Sequence, residues 1–174
     1  MKKIITSIIA AVMAVFITGC DKNLTPERMT TISTVIGRTA GYACELSKTK
    51  TEVKETIMKV LDIASIVVPT NGQTYAEAWS PVIDKELAKL VEAGKIDAAG
   101  AQFAKVALGV ACDGIDYVFI KYPKAKEGKE LVSAAVTGFI SGYKSVVTLK
   151  AGGDGKTDID EDAFKYLKAK ISSK

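Results

Sequence analysis

Histidine is missing from this 174-residue chain. Its absence removes the side chain most often used as a general base near neutral pH, and the imidazole that most often holds a metal. Cysteine is scarce at 3 residues, proline at 4 and tryptophan at 1. So few cysteines exclude a disulfide-dense scaffold. No block of a single charge sign occurs, with 24 Lys+Arg set against 20 Asp+Glu. A clustered basic face interleaved with aromatics, the mark of a nucleic-acid surface, is not found, so nucleic acid is not expected as a partner. Gly-x-Ser-x-Gly, phosphate-loop and His-Glu-x-x-His patterns are also missing, and the chain reads as a non-enzyme.

The first 20 residues are the most specific stretch present. Lys2 and Lys3 form a cationic start, Ile4–Ile17 is an uncharged apolar run, and Ile17-Thr18-Gly19-Cys20 closes it with small residues before a cysteine. That order reads as a secretory signal. The apolar run is too short to span a bilayer comfortably and has no stop-transfer flank. Without Lys2 and Lys3 the balance becomes 22 basic residues against 20 acidic, so the exported part is close to neutral.

The closing tetrapeptide resembles the lipobox of bacterial lipoproteins. The resemblance implies cleavage before Cys20, a diacylglycerol thioether on its sulfur and a further acyl chain, such as palmitate, on the new amino group. It implies a signal peptide at 1–19 and a lipidated tether at 20–25, and residues 26–174 are expected to form a single helical domain. The protein would sit in the cell envelope, held to a membrane on its extracytoplasmic, periplasmic face. Asp21 resembles the enterobacterial signal for retention in the inner membrane, while Lys22 departs from it, so inner and outer membranes both stay open.

The remaining cysteines, Cys44 and Cys112, would then meet an oxidising compartment, where only one pairing exists. A Cys44–Cys112 disulfide would close a long loop, worth about 4 kcal/mol in the chain-entropy account. The alternative is two buried thiols.

Apolar residues recur at helical spacing along the rest of the chain. Thr25-Pro26 reads as N-cap and first position of a helix to about Leu46, with Met29, Ile32, Ile36, Ala40, Ala43 and Leu46 inward. Thr49 and Glu52 read as a capping box for a second helix. Its inner face is Val53, Ile57, Val60, Leu61, Ala64 and Val67–Val68, and Pro69 ends it. Thr74 and Glu77 form a second box, with a break or restart at Ser80-Pro81 and a C-terminal cap at Gly94. Asp97 caps a long helix to Tyr122 that carries Ala101, Ala104, Leu108, Cys112, Ile115 and Phe119. After a charged connector, a fifth helix runs from about Glu130 to Leu149. A last one follows, capped by Asp158 with Glu161 three residues on. No clear period-two strand is found. The expectation is an all-α fold, a compact array of about five to seven helices stapled by one disulfide.

Four features could carry chemistry. Asp154, Asp158 and Glu161 fall where positions 5, 9 and 12 of an EF-hand loop would be, with Gly155 at position 6. The first half departs from that pattern, because Lys150 and Gly152 occupy ligand positions 1 and 3. Any metal held there would be weakly bound calcium, and acidic residues at a helix start are the plainer reading. Asp113 and Asp116 share a helix face beside Cys112. Tyr75, Trp79 and Pro81 read as a core plug or an exposed aromatic anchor. Gly37/Gly41 and Gly138/Gly142 have the spacing that lets helix backbones approach closely. The fifth helix has only Lys144 as a charge between Leu131 and Leu149, yet its Ser and Thr content favours a soluble core over a membrane span.

These observations lead to a lipid-anchored binding module that acts on another envelope protein. Its size and location suit an inhibitory, immunity or superinfection-exclusion role. The alternative is a weak calcium- or ligand-binding module using the Asp154–Glu161 loop. No cofactor is expected beyond the covalent acyl groups on Cys20.

Overall fold

The computed structural model describes residues 24–46, 51–70, 72–147 and 159–172. These residues form six α-helices, one 3-10 turn and no strand, so the fold is all-α. The helices are α1 (Pro26–Leu46), α2 (Thr51–Ser65), α3 (Tyr75–Glu92), α4 (Ala98–Lys121), α5 (Lys129–Val147) and α6 (Glu161–Ser172). The turn, Pro123–Glu127, joins α4 to α5 and buries Ala125.

The helix ends follow local chemistry. The Thr25 hydroxyl accepts from the Arg28 amide at 3.3 Å, with Pro26 at the first helical position. Thr74 and Glu77 make both bonds of the expected capping box. Asp97 accepts from the Gly100 amide at 2.6 Å. Gly94 has φ +65° beyond the end of α3, and the Gly94 and Lys95 amides reach back to Val91 and Leu90. A left-handed residue closing those two bonds is the Schellman stop, and glycine adopts it without a Cβ penalty.

Three expectations about the elements are corrected. Helix α3 is continuous through Pro81, so Ser80-Pro81 is not a restart. The ring removes one ladder bond, and burial of Trp79 and Ile83 on either side holds the helix together. The second helix stops at Ser65, four residues before Pro69. Val68 therefore lies beyond the helix and is 66% exposed instead of inward. The last helix is capped by Asp160, whose Oδ1 accepts from the Ala163 amide at 2.9 Å. Asp158, the expected cap, and Thr49 of the expected second-helix box lie outside the described residues.

Helix α4 is the centre of the molecule and touches every other α-helix. Its buried residues, from Gly100 and Ala104 to Val118 and Phe119, cover one broad face, while Gln102, Phe103, Lys105, Val106 and Ile120 lie on the exposed one. A wide apolar stripe is the face that a helix turns to the core. Three neighbours have directions that their contacts set. Helix α3 is antiparallel to α4, since Asp116 bonds the start of α3 while Asp84 pairs with Lys105 at 2.7 Å. Helix α6 is also antiparallel, with Lys121 on Asp160 and Tyr117 on Tyr166. Helix α2 runs with α4, from Val53 beside Gly100 to Val67 beneath Trp79.

Helices α1 and α5 form the tightest pair, and they are parallel. Thr30 meets Gly138, Thr34 meets Gly142, and Gly37 and Gly41 meet the backbone of Phe139 and Tyr143. A Cβ at Gly138 would come within 2.5 Å of the Thr30 carbonyl oxygen. Both glycine pairs noted in the sequence thus face one another, and they let two backbones touch. The exposed edge of α5 is Ser133, Thr137, Ser141 and Ser145, one turn apart, while Phe139, Tyr143 and Val147 are buried. The hydroxyls that dilute its apolarity are its solvent face. Among the described residues no helix is long and apolar enough to cross a membrane.

The expected Cys44–Cys112 disulfide is not formed, because among the described residues no cysteines lie at disulfide distance, and both are buried thiols. Helix geometry supplies the reason. Gly114 is the α4 residue that meets Ala40 of α1. Cys44 is one turn from Ala40 and keeps roughly its direction, but Cys112, two residues from Gly114, points about 200° away. On a helix that touches every other α-helix, an inward position does not specify which neighbour it faces.

Candidate functional site

Of the residues singled out in the sequence, the structure brings Asp116 together with Tyr75 and Trp79. Cys20, Asp154 and Asp158 lie outside the described residues. Glu161 is exposed in the first turn of α6. Among the described residues no group of three or more His, Cys, Asp or Glu is placed to hold a metal.

Two polar clusters flank the C-terminal half of α4. In the first, Asp116 Oδ1 accepts from the Tyr75 amide at 2.6 Å and Oδ2 from the Ala76 amide at 3.0 Å. One carboxylate from α4 thereby satisfies two of the orphan amides at the start of α3, where the helix dipole also favours it. Burial holds the Asp116 carboxyl above the usual carboxylate range; the two amide bonds oppose that rise and Asp113 adds to it. Burial, with the Asp116 charge beside it, pushes the Tyr75 phenol up to about 12. The Tyr75 ring stacks on Phe119 at 5.2 Å and meets Trp79 edge-on at 5.1 Å. Trp79 is fully buried, and its indole N–H donates to the Val67 carbonyl at 2.9 Å. Tyr75 and Trp79 are therefore the core plug and not an exposed anchor. Asp116 is a strut, with both oxygens committed to backbone.

The second cluster locks α6. Lys121 donates to Asp160 Oδ2 at 2.9 Å, and the Asp160 amide donates to Thr39 Oγ1 at 2.9 Å. Burial presses the Lys121 ammonium down, but the bond and charge of Asp160 outweigh it and leave its pKa above the ordinary value. Burial raises the Tyr117 phenol, with Lys121 opposing. Three helices, α1, α4 and α6, meet through this one aspartate. Nothing local in the sequence signals either role, since the partners of Asp116 and Asp160 are about 40 to 120 residues distant.

The surface holds two depressions. One of about 240 Å³ is lined by Lys59, Glu86, Lys89 and Lys95 around Val60 and Leu90. The other, about 350 Å³, lies between α3 and α4 over Leu87, Val91, Ala98 and Ala101. Each is a shallow contact surface. Among the described residues, large aliphatic side chains are most exposed elsewhere, at Ile66 (81%), Val68 (66%) and Ile120 (63%), and no other exposed large hydrophobic exceeds 41%.

Compared with known proteins, the chain matches no family model, no curated protein and no solved structure.

Proposed function

We propose that this chain is a lipid-anchored envelope protein whose helical domain is a binding module at the extracytoplasmic face of a bacterial membrane. One observation carries the reading: Lys2-Lys3, the apolar run and Ile17-Thr18-Gly19-Cys20 stand in the order of a lipoprotein signal, directly ahead of the folded domain at Pro26. In this reading attachment rests on the acyl chains of Cys20. Each buried methylene contributes about 0.8 kcal/mol, and two or three chains hold a protein stably.

The domain's work in this reading is to bind another envelope protein, in an inhibitory or immunity role, without catalysis and without a cofactor other than the lipid. The shallow depressions suit protein contact better than the enclosed, mostly apolar pocket a small ligand needs. Intact mass and metabolic labelling with palmitate test the anchor. The expected product starts at Cys20 and carries acyl mass that Cys20→Ala abolishes; an uncut amino terminus with no label overturns the reading. Crosslinking in the native envelope tests the binding role, with repeated capture of a single channel, receptor or secretion protein as the expected result.

A further inference from the structure

We infer that the loop between α2 and α3 is a charge-free docking tip that enters an apolar cleft on the envelope protein this chain binds, an inference that rests on the binding role proposed above. Ile66 and Val68 are its contact side chains. They are 81% and 66% exposed, the two most exposed large hydrophobic residues among those described. Two positions apart, their Cα atoms lie within about 7 Å of one another whatever the backbone does. A single exposed aliphatic residue is ordinary on a protein surface. Two such residues in one short loop form a continuous apolar point.

The loop is held in place. The fully buried Trp79 donates its indole N–H to the Val67 carbonyl at 2.9 Å, so the residue between the two tips is pinned to the core. The Val67 amide donates to the Ala64 carbonyl at 2.9 Å. Thr70 gives its amide and its hydroxyl to Gln73 Oε1, at 3.2 and 2.7 Å. The Gln73 amide returns to the Thr70 carbonyl at 3.0 Å. Pro69 fixes one further backbone angle. The only tryptophan of the chain thus holds a loop that turns two aliphatic side chains to solvent. A tip ordered beforehand loses little freedom on binding.

Charge selects the occupant. From Ile63 to Ala76 no residue is charged, in a chain with 25% charged residues. The charges that reach the base of the loop are all engaged there. Asp62 pairs with Lys144, and Glu77 accepts from the Thr74 amide at 2.8 Å. Asp116 holds the Tyr75 and Ala76 amides, and Lys126 lies 5.9 Å over the Phe119 ring. The exposed polar residues beside the tip, Thr70, Gln73 and Thr74, are neutral. An apolar centre with an uncharged polar edge is the composition of a protein contact core, where charge is depleted. A loop that enters a bilayer carries Trp, Tyr or Lys at the interface. Here Tyr75 and Trp79, the aromatics at its base, are turned into the core, and no lysine stands in the stretch. The occupant is therefore a protein cleft lined by apolar side chains and not a lipid surface.

The test places a benzophenone side chain, in separate proteins, at Ile66, Val68 or Lys85 of the full acylated chain and irradiates the native envelope. Positions 66 and 68 are expected to crosslink to the same protein, at apolar side chains of one segment, and the exposed Lys85 position is not. Val68→Asp is expected to cut the yield from position 66 roughly tenfold, and Ile66→Asp that from position 68, since each removes one buried aliphatic contact. Both substitutions fall on highly exposed side chains, so Tm should stay within about 3 °C of the wild type, which separates a lost contact from lost folding. Adducts with lipid alone, or with a second copy of this chain, overturn the protein cleft. Unchanged yields in the Asp variants overturn the tip. A protein captured from Lys85 and from neither 66 nor 68 overturns the tip and keeps the binding role. No protein adduct from any of the three positions overturns both.

Discussion

Replacing Gly142 with alanine sets two opposite effects against each other. In an exposed helix interior Gly→Ala stabilises by about 1 kcal/mol, because alanine loses less backbone freedom on folding. At position 142 the new methyl would meet the Thr34 carbonyl of α1, with the Arg38 amide nitrogen 3.0 Å away. Both obstacles are backbone, so no side chain can turn aside. The two helices must part by something like 1 Å along the tightest seam in the molecule. Overpacking a tight core costs about 1–3 kcal/mol, and the rigid obstacles put this case at the upper end. The net loss is then about 2 kcal/mol, or about 4–8 °C in Tm for a domain of this size. Urea and thermal unfolding followed by far-ultraviolet circular dichroism would read it. Gly128→Ala serves as the control, because nothing lies within 4 Å of a Cβ there, and it should change stability by no more than about 0.5 kcal/mol. A Gly142→Ala protein as stable as the wild type, or more so, would falsify the direct backbone contact between α1 and α5.

Asp116→Ala should cost about 2 kcal/mol, since the Tyr75 and Ala76 amides lose their partner, and chemical unfolding would measure it. Asp116 also holds its proton to higher pH in the folded state than in the unfolded chain. Its linked stability is therefore greatest at low pH and declines as pH rises from the ordinary carboxylate value to the raised one. Asp116→Asn should remove that decline, and an unchanged pH profile would contradict it. Dithiothreitol should leave the melting curve of the wild type unmoved, because Cys44 and Cys112 are not joined; a fall of several degrees would restore the disulfide. Trp79, the only tryptophan and fully buried, should emit at short wavelength. Trp79→Ala should cost about 3–5 kcal/mol, and a red-shifted wild-type spectrum would contradict the burial. Calorimetric titration with micromolar calcium should be silent, since Lys150 stands at the first ligand position of the Asp154–Glu161 loop; heat of binding would overturn that reading.

Secondary structure was largely legible because its signals are local. Thr25-Pro26, the Thr74–Glu77 box, Asp97 and Gly94 each act within one helical turn, and each behaves in the structure as its chemistry dictates. The core residues followed from a period of 3.6. Val68 was misread because the apolar pattern continued past the point where α2 actually stops. The cap of α6 was misread because Asp158 and Asp160 both precede the helix, and the tertiary bonds to Thr39 and Lys121 place Asp160 there.

Sequence alone determined the helical class and most helix ends, since each depends on neighbours a few residues apart. Only the tertiary structure decided which inward faces meet. It set Gly37 and Gly41 on the backbone of Phe139 and Tyr143, set Gly138 and Gly142 on that of Thr30 and Thr34, left Cys44 and Cys112 without a disulfide and gave Asp116 the amides of α3. The inward stripe of α4, a helix that touches every other α-helix, does not name the partner of each residue on it. That choice belongs to the packing of all six helices together.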